Sequence, residues 1–335
     1  MKRLLFLFLS LMLFGLGCDA TDKAVSTEFS NENFTLDEAY TGTGSDVMLQ
    51  GFTWATQSGT YTTITSNASA IAGAGFTMVW FPPCSLSADT NGYLPTQWNN
   101  LASKYGTQAE LQAAITALHN SSVKAIADIV INHRCGSTNW ADFSNPAFAD
   151  NNLAIASGDE YFASGNPGAS ITTRGAADSG EGYSAGRDLD HSNASVQSVT
   201  KTWLSWLKST IGFDGWRYDF VKGYNGKYVG IYNDATSPSF SVGEYWPTNS
   251  FSTSNPNAWR QEIVGWIDAT GGKSTVFDFV TKPLLAAAIS NGNYALLKDS
   301  DGKPGGTIGW WPACSTTFLD NHDTGPTPYG QGHWS

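Results

Sequence analysis

The sequence predicts an α/β fold, a (β/α)8 (TIM) barrel with a small domain inserted after its third strand. Two observations predict it. Strand-like and helix-like segments alternate from residue 46 onward, which means parallel strands joined by crossover helices. Four strand-like runs also end in polar or acidic residues: Asp128 to His133, Gly215 to Asp219, Val242 to Glu244 and Phe318 to Asp323. A buried strand that stops at a charge holds that charge at the lip of a barrel, where strands of this fold carry their chemistry.

Taken in order, Val47 to Trp54 reads as the first strand. Tyr61 to Gly75 follows as a helix with glycine at its end. Met78 to Phe81 is a strand stopped by Pro82-Pro83. Thr107 is an N-cap with Glu110 three residues on, a capping box, and Leu111, Ile115 and Leu118 face the core. Lys124 to Ile131 is the third strand. The stretch 134–192 is rich in Gly, Ser, Asn and Asp and too long for a loop, so it reads as the inserted domain. Val196 to Lys208 is a helix with Val199, Trp203 and Leu207 on one stripe. Gly215 to Tyr218, Phe240 to Gly243, Thr275 to Phe279 and Thr316 to Leu319 complete seven strands. No eighth is visible, so the expectation is a C-terminally incomplete barrel (46–133 and 193–335) with poor activity.

Net charge is −11, from 18 basic and 29 acidic residues in 335. No basic stripe is present, which excludes nucleic acid as a partner. The thirteen Trp fill core for the most part, but indoles also stack on the apolar faces of pyranose rings. Lys2 and Arg3 precede the apolar run Leu4 to Leu16, a signal peptide over 1–17 and too short to span a membrane. Gly17-Cys18 after it resembles a bacterial lipoprotein signal. The expected destinations are therefore a lipid anchor through Cys18 at the cell envelope, or plain export to the outside. Residues 18–45 read as a flexible tether. Cys84, Cys135 and Cys314 remain, an odd count that supports no disulfide framework; Cys84 and Cys135 either meet at the barrel top or stay separate thiols.

Carboxylates converging from separate strands are what acetal hydrolysis of a sugar chain requires. Asp219 and Arg217 lie two apart on one strand and point to one face, so the guanidinium should keep that carboxylate ionised. Glu244 ends another strand and Asp323 a third.

The four segments, in this order and spacing, resemble the α-amylase family of glycoside hydrolases. Local similarity is closest to plant-type members in Ser103 to Gly106, Ala125 to Arg134, Phe213 to Tyr224 and Ile308 to Ala313, and the Gln331 to Trp334 ending is similar to bacterial maltooligosaccharide-forming amylases. The resemblance implies a retaining endo-hydrolase of α-1,4-glucan, monomeric when complete. An exo-acting maltooligosaccharide-forming amylase and a non-catalytic starch-binding surface protein are the alternatives. It implies Asp219 as nucleophile, Glu244 as general acid/base with a raised pKa, and Asp323 as the third carboxylate gripping substrate hydroxyls. Arg217, His133, His322, Tyr93, Trp54, Lys222 and Trp246 become substrate contacts, and Trp310-Trp311 a surface starch site with at least one indole exposed. Asp278 reads as structural. The resemblance also implies one Ca2+, held by Asn132, Asp178, Asp188 and the Gly223 carbonyl, with the Glu181 carbonyl as a further donor and Asp190 an open alternative to Asp188.

Overall fold

The computed structural model describes residues 44–55, 58–177 and 179–324. The expected signal peptide, Cys18, Asp178 and the final Gln331 to Trp334 motif lie outside them. Seven parallel strands form one sheet in chain order: β1 (Met48–Gln50), β2 (Met78–Trp80), β3 (Lys124–Ile129), β4 (Gly215–Tyr218), β5 (Ser241–Gly243), β6 (Thr275–Phe277) and β7 (Ser315–Thr316). Helices α1 (Thr60–Gly73), α2 (Gln108–Asn120), α3 (Ala194–Trp206), α4 (Lys227–Thr236), α5 (Asn257–Ala269) and α6 (Thr281–Asn291) are the crossovers. None of the described helices is long and apolar enough to cross a membrane.

The sheet curls on itself. Trp80 of β2 and Phe277 of β6 stand four strands apart in the ladder, yet their rings meet at 5.7 Å. His322, beyond β7, donates its backbone N–H to Gln50 Oε1 of β1 at 3.2 Å. The two ends of the sheet are thus brought to one place, and strand termini that are remote in sequence share a common lip.

The local signals act as expected. Thr107 Oγ1 accepts the Glu110 N–H at 3.2 Å, and Glu110 Oε2 accepts the Thr107 N–H at 2.7 Å, so the capping box starts α2. Leu111, Ile115 and Leu118 are buried. Asp278 is structural: buried just after β6, it accepts N–H bonds from Val280, Thr281, Thr307 and Ile308 and the Thr281 hydroxyl. One carboxylate thereby opens α6 and fastens the segment leading to β7.

Several strands are shorter than expected. β1 ends at Gln50 rather than Trp54, β3 at Ile129 rather than Ile131, β6 at Phe277 rather than Phe279, and β7 covers only Ser315–Thr316. Beyond β3, His133–Arg134 pairs antiparallel with Arg187–Asp188 at the root of the long segment between β3 and α3. Helix α3 ends at Trp206 and passes into one π-type turn, Leu207–Ile211. Arg134 anchors that long segment. Buried, it donates to the carbonyls of Pro146 and Thr96 and lies over the Trp98 ring.

Two further expectations are resolved. Cys84 and Cys135 are separate buried thiols, as is Cys314, and burial pushes each up to about 12. Neither indole of Trp310-Trp311 is fully exposed; both are half-buried, because the Arg260 guanidinium lies 4.0 Å above Trp310 and Trp311 packs on the core.

Candidate active site

Arg217 is the centre of the site. It sits on β4 with no solvent exposure, and β3 aligns Asp128 directly beside it in the ladder. Its Nη1 meets Asp128 Oδ1 at 2.8 Å and Asp219 Oδ1 at 2.7 Å, and its Nη2 meets Glu244 Oε1 at 2.8 Å. Three carboxylates from three consecutive strands therefore surround one guanidinium, whose flat face lies over Trp80 at 4.8 Å. A fork of donors suits this arrangement; the point charge of a lysine would not.

Asp323 completes the cluster from the segment after β7. Its Oδ2 lies 3.3 Å from His322 Nε2. Three buried carboxylates contact one cation here and a fourth, Asp323, lies within its field, so the cluster holds protons at neutral pH. Burial pushes Asp219 up to about 7 against the pull of Arg217. Burial, and then the Asp219 charge, push Glu244 up to about 7, again against Arg217. Burial and the Glu244 charge do the same for Asp323. The raised Glu244 matches expectation. Asp219 differs: Arg217 was expected to keep it well ionised, but that guanidinium is divided among three anions.

Asp128 went unassigned from sequence, yet it ties the lip together. Its Oδ2 accepts from Trp80 Nε1 at 3.0 Å and from Tyr93 Oη at 2.9 Å. With the Tyr93 proton committed to Asp128, His322 Nε2 is the donor to Tyr93 Oη at 3.0 Å. His322 and Tyr93 stack at 5.6 Å with an interplanar angle of 7°, and Trp54 packs against both. No sequence signal marks this partnership, because it follows from the β3–β4 register that sets Asp128 level with Arg217.

The other candidates fall into two groups. Trp54, Tyr93 and His322 stand together beside Asp323, and Trp246 stacks on Phe279 at 4.8 Å two residues past Glu244. Trp246 lines a pocket of about 450 Å³ with Thr248, Asn249, Lys282 and Thr324. His133 is different. It is buried, its Nε2 donates to the Tyr93 carbonyl at 2.7 Å, its Nδ1 accepts from Asn132 Nδ2 at 3.3 Å, and Tyr183 stacks on it at 3.9 Å. Both ring nitrogens are occupied by protein, so His133 supports Tyr93 and offers no free nitrogen to a sugar. Lys222 is paired with Glu181 at 3.1 Å.

The calcium candidates also converge in part. A Cβ added to Gly223 would lie 1.9 Å from Asn132 Oδ1, and Asn132 Nδ2 donates to Asp188 Oδ1 at 3.2 Å. An amide oxygen, a carboxylate and a backbone turn thus crowd together. Asp190 accepts the N–H groups of Ala176 and Ser192, and Asp188 likewise accepts from Asn132 and from the Tyr183 N–H. Among the described residues no cluster of three or more His, Cys, Asp or Glu side chains is suited to a metal.

Comparison with known proteins decides the family. Residues 41–262 match the model of the alpha amylase catalytic domain. The chain belongs to the alpha-amylase family. It is 39% identical over 314 residues to alpha-amylase 3, chloroplastic, of Arabidopsis thaliana, covering 88% of this chain and 33% of that protein. It is 38% identical to probable alpha-amylase 2 of the same plant, covering 87% and 69%. It is 30% identical to glucan 1,4-alpha-maltotetraohydrolase of Roseateles saccharophilus, covering 87% and 54%. The chain thus spans between about a third and two thirds of these relatives' own lengths. Among solved structures, alpha-amylase I from Eisenia fetida superposes with a TM-score of 0.62 at 17% identity, covering 88% of this chain and 61% of that one. An alpha-amylase from Malbranchea cinnamomea gives 0.57 at 24%, covering 78% and 54%. At these identities the likeness is one of fold, the amylase (β/α)8 barrel.

Proposed function

We propose that the chain is a retaining glycoside hydrolase that cleaves internal α-1,4-glucosidic bonds of starch- or glycogen-type glucans. The observation that carries this is Asp219 and Glu244 hung from the two amino groups of one buried guanidinium. Two carboxyls gripped by one guanidinium are near neighbours, which supports a double displacement, whose paired carboxyls stand about 5–5.5 Å apart, over inversion, which needs a wider gap for water. Asp219 attacks the anomeric carbon while protonated Glu244 gives its proton to the departing oxygen. Glu244, now ionised, then takes a proton from water, which releases the sugar from Asp219 with its configuration retained. Asp323, held beside His322, grips ring hydroxyls; Trp54, Tyr93 and Trp246 supply apolar faces.

We also read Asn132, Asp188 and the Gly223 carbonyl, with Asp178, as holders of one Ca2+. Hard oxygen donors of mixed type suit that ion. When bound it would fasten the segment after β3 to the loop after β4. In the same reading 134–192 is a discrete domain, and the leader exports the chain with Cys18 as its anchor point. The test of the reaction is NMR of the first product formed from a maltooligosaccharide. An α-configured product, lost in Asp219→Asn and Glu244→Gln, is expected; a β-configured one refutes the double displacement.

A further inference from the structure

The Lys222 ammonium is held by two groups from other segments of the chain. It lies 3.1 Å from Glu181 Oε1 and donates to Thr248 Oγ1 at 3.1 Å. The Thr248 hydroxyl donates in turn to the other oxygen of the same carboxylate. The three side chains close a ring of charge-assisted bonds. Glu181 comes from the segment between β3 and α3, Lys222 from the loop after β4, and Thr248 from the loop after β5.

Backbone contacts bring these segments together independently of the ring. The Glu181 N–H donates to the Lys222 carbonyl at 3.0 Å, and the Asn225 N–H to Ser179 Oγ at 3.0 Å. A Cβ at Gly180 would sit 2.5 Å from the Gly223 carbonyl oxygen, so the chains run backbone to backbone here. The side-chain ring therefore adds little to holding the fold. Glu181 is also 42% exposed, and exposed ion pairs contribute little to stability.

What the ring does fix is the position of two loops. Lys222 is three residues past Asp219, and Thr248 is four past Glu244. Between Asp219 and Lys222, Phe220 turns in the left-handed region with φ 44°, and its N–H donates to Glu244 Oε2 at 3.1 Å. Thr248 also lines the pocket beside Trp246.

We propose that Glu181 is a positioning residue. Its carboxylate holds Lys222 and Thr248 to each other, and so sets the cleft wall on the side from which the departing sugar chain leaves. This rests on the retaining-hydrolase reading, in which the departing oxygen sits at Glu244, so the loop that carries Thr248, four residues past Glu244, borders the leaving chain. It makes the segment after β3 a determinant of how the leaving chain is held, through one side chain that the family comparison does not assign.

The experiment compares two substrates: a linear maltooligosaccharide, with glucosyl residues beyond the cleaved bond, and an aryl α-maltooligoside, whose leaving group is a phenol. Glu181→Ala and Thr248→Val should each lower kcat/KM on the oligosaccharide about fivefold, mainly through KM, the scale of one partly exposed charged contact. The aryl substrate should be turned over unchanged and Tm should hold. Glu181→Gln, which keeps the hydrogen bonds without the charge, should fall between. High salt should weaken oligosaccharide binding in the wild type but not in Glu181→Ala. Equal losses on both substrates, or none on either, overturn the proposal; Thr248→Val decides the point if Glu181→Ala does not fold. Glu244→Gln separates this from the underlying reading. If it stays active, the hydrolysis reading has failed; if it is inactive and the substrate split is absent, only the role of Glu181 has failed.

Discussion

Replacing Asp128 by Asn tests the electrostatic organisation of the lip. The side chain is buried and accepts three bonds: from Trp80 Nε1 and Tyr93 Oη on one oxygen and from Arg217 Nη1 on the other. An amide has only one acceptor oxygen. If its NH2 faces Trp80 and Tyr93, two buried donors lose their acceptor; if it faces Arg217, one charged donor does. Each unsatisfied buried donor costs about 1–3 kcal/mol, so a loss on the order of 3 kcal/mol is expected, partly offset by the desolvation cost of a removed charge. For a chain of this size, at about 2.1 cal/mol/K of unfolding entropy per residue, that corresponds to a Tm lower by roughly 4 °C. The same change acts on the reaction. The Asp128 charge helps to raise Asp219, after burial as the main cause. Without it Arg217 is shared by fewer anions and Asp219 ionises more readily. The acidic limb of the kcat/KM profile, which reports the ionised nucleophile, should therefore move to lower pH, while kcat falls because Tyr93 and His322 lose their anchor. Scanning calorimetry and a pH–rate series on a soluble maltooligosaccharide measure both. An unchanged Tm together with an acidic limb that stays put or moves up would refute the reasoning.

The remaining predictions concern the cluster, the ion, a structural carboxylate and the leader. Asp219, Glu244 and Asp323 have folded pKa values near 7, above their ordinary values near 4, so the folded state binds more protons than the unfolded one across that window and loses stability as pH rises through it; Asp323→Asn should flatten this slope in urea titrations between pH 5 and about 8, and an unchanged slope rejects the assignment. EDTA should lower Tm by mass action, because the ion binds only the folded donor set; an unchanged Tm, with no calcium found by elemental analysis, removes the proposed site. Asp278→Ala should destabilise by about 3 kcal/mol or more, since it strands several buried N–H groups, without altering the pH of half-maximal activity. Cys18→Ala should move the protein from the membrane to the soluble fraction; equal association of both forms rules out a lipid anchor.

How far the sequence could be read depended on what each signal constrains. A charge at the end of an apolar run has one place to go, the lip where the strand meets solvent. This is why Arg217, Asp219, Glu244 and Asp323 were found together from sequence and meet in space. The same signal overstated strand lengths, because it does not say where the ladder stops. Ile131 is as apolar as Ile129, but the chain beyond must turn so that His133 can pair with Asp188. Asp128 was visible as a residue and invisible as a partner, since its role follows from β3–β4 register and register is not written in either strand alone. His133 shows the converse: its motif points to a sugar contact, while its two nitrogens bond Tyr93 and Asn132. The Glu181–Lys222–Thr248 ring was out of reach altogether, because it joins three loops whose sequences carry no periodicity to place them. Functional contacts between strand ends can therefore be inferred from pattern, since the barrel supplies the geometry, whereas contacts between its loops need coordinates.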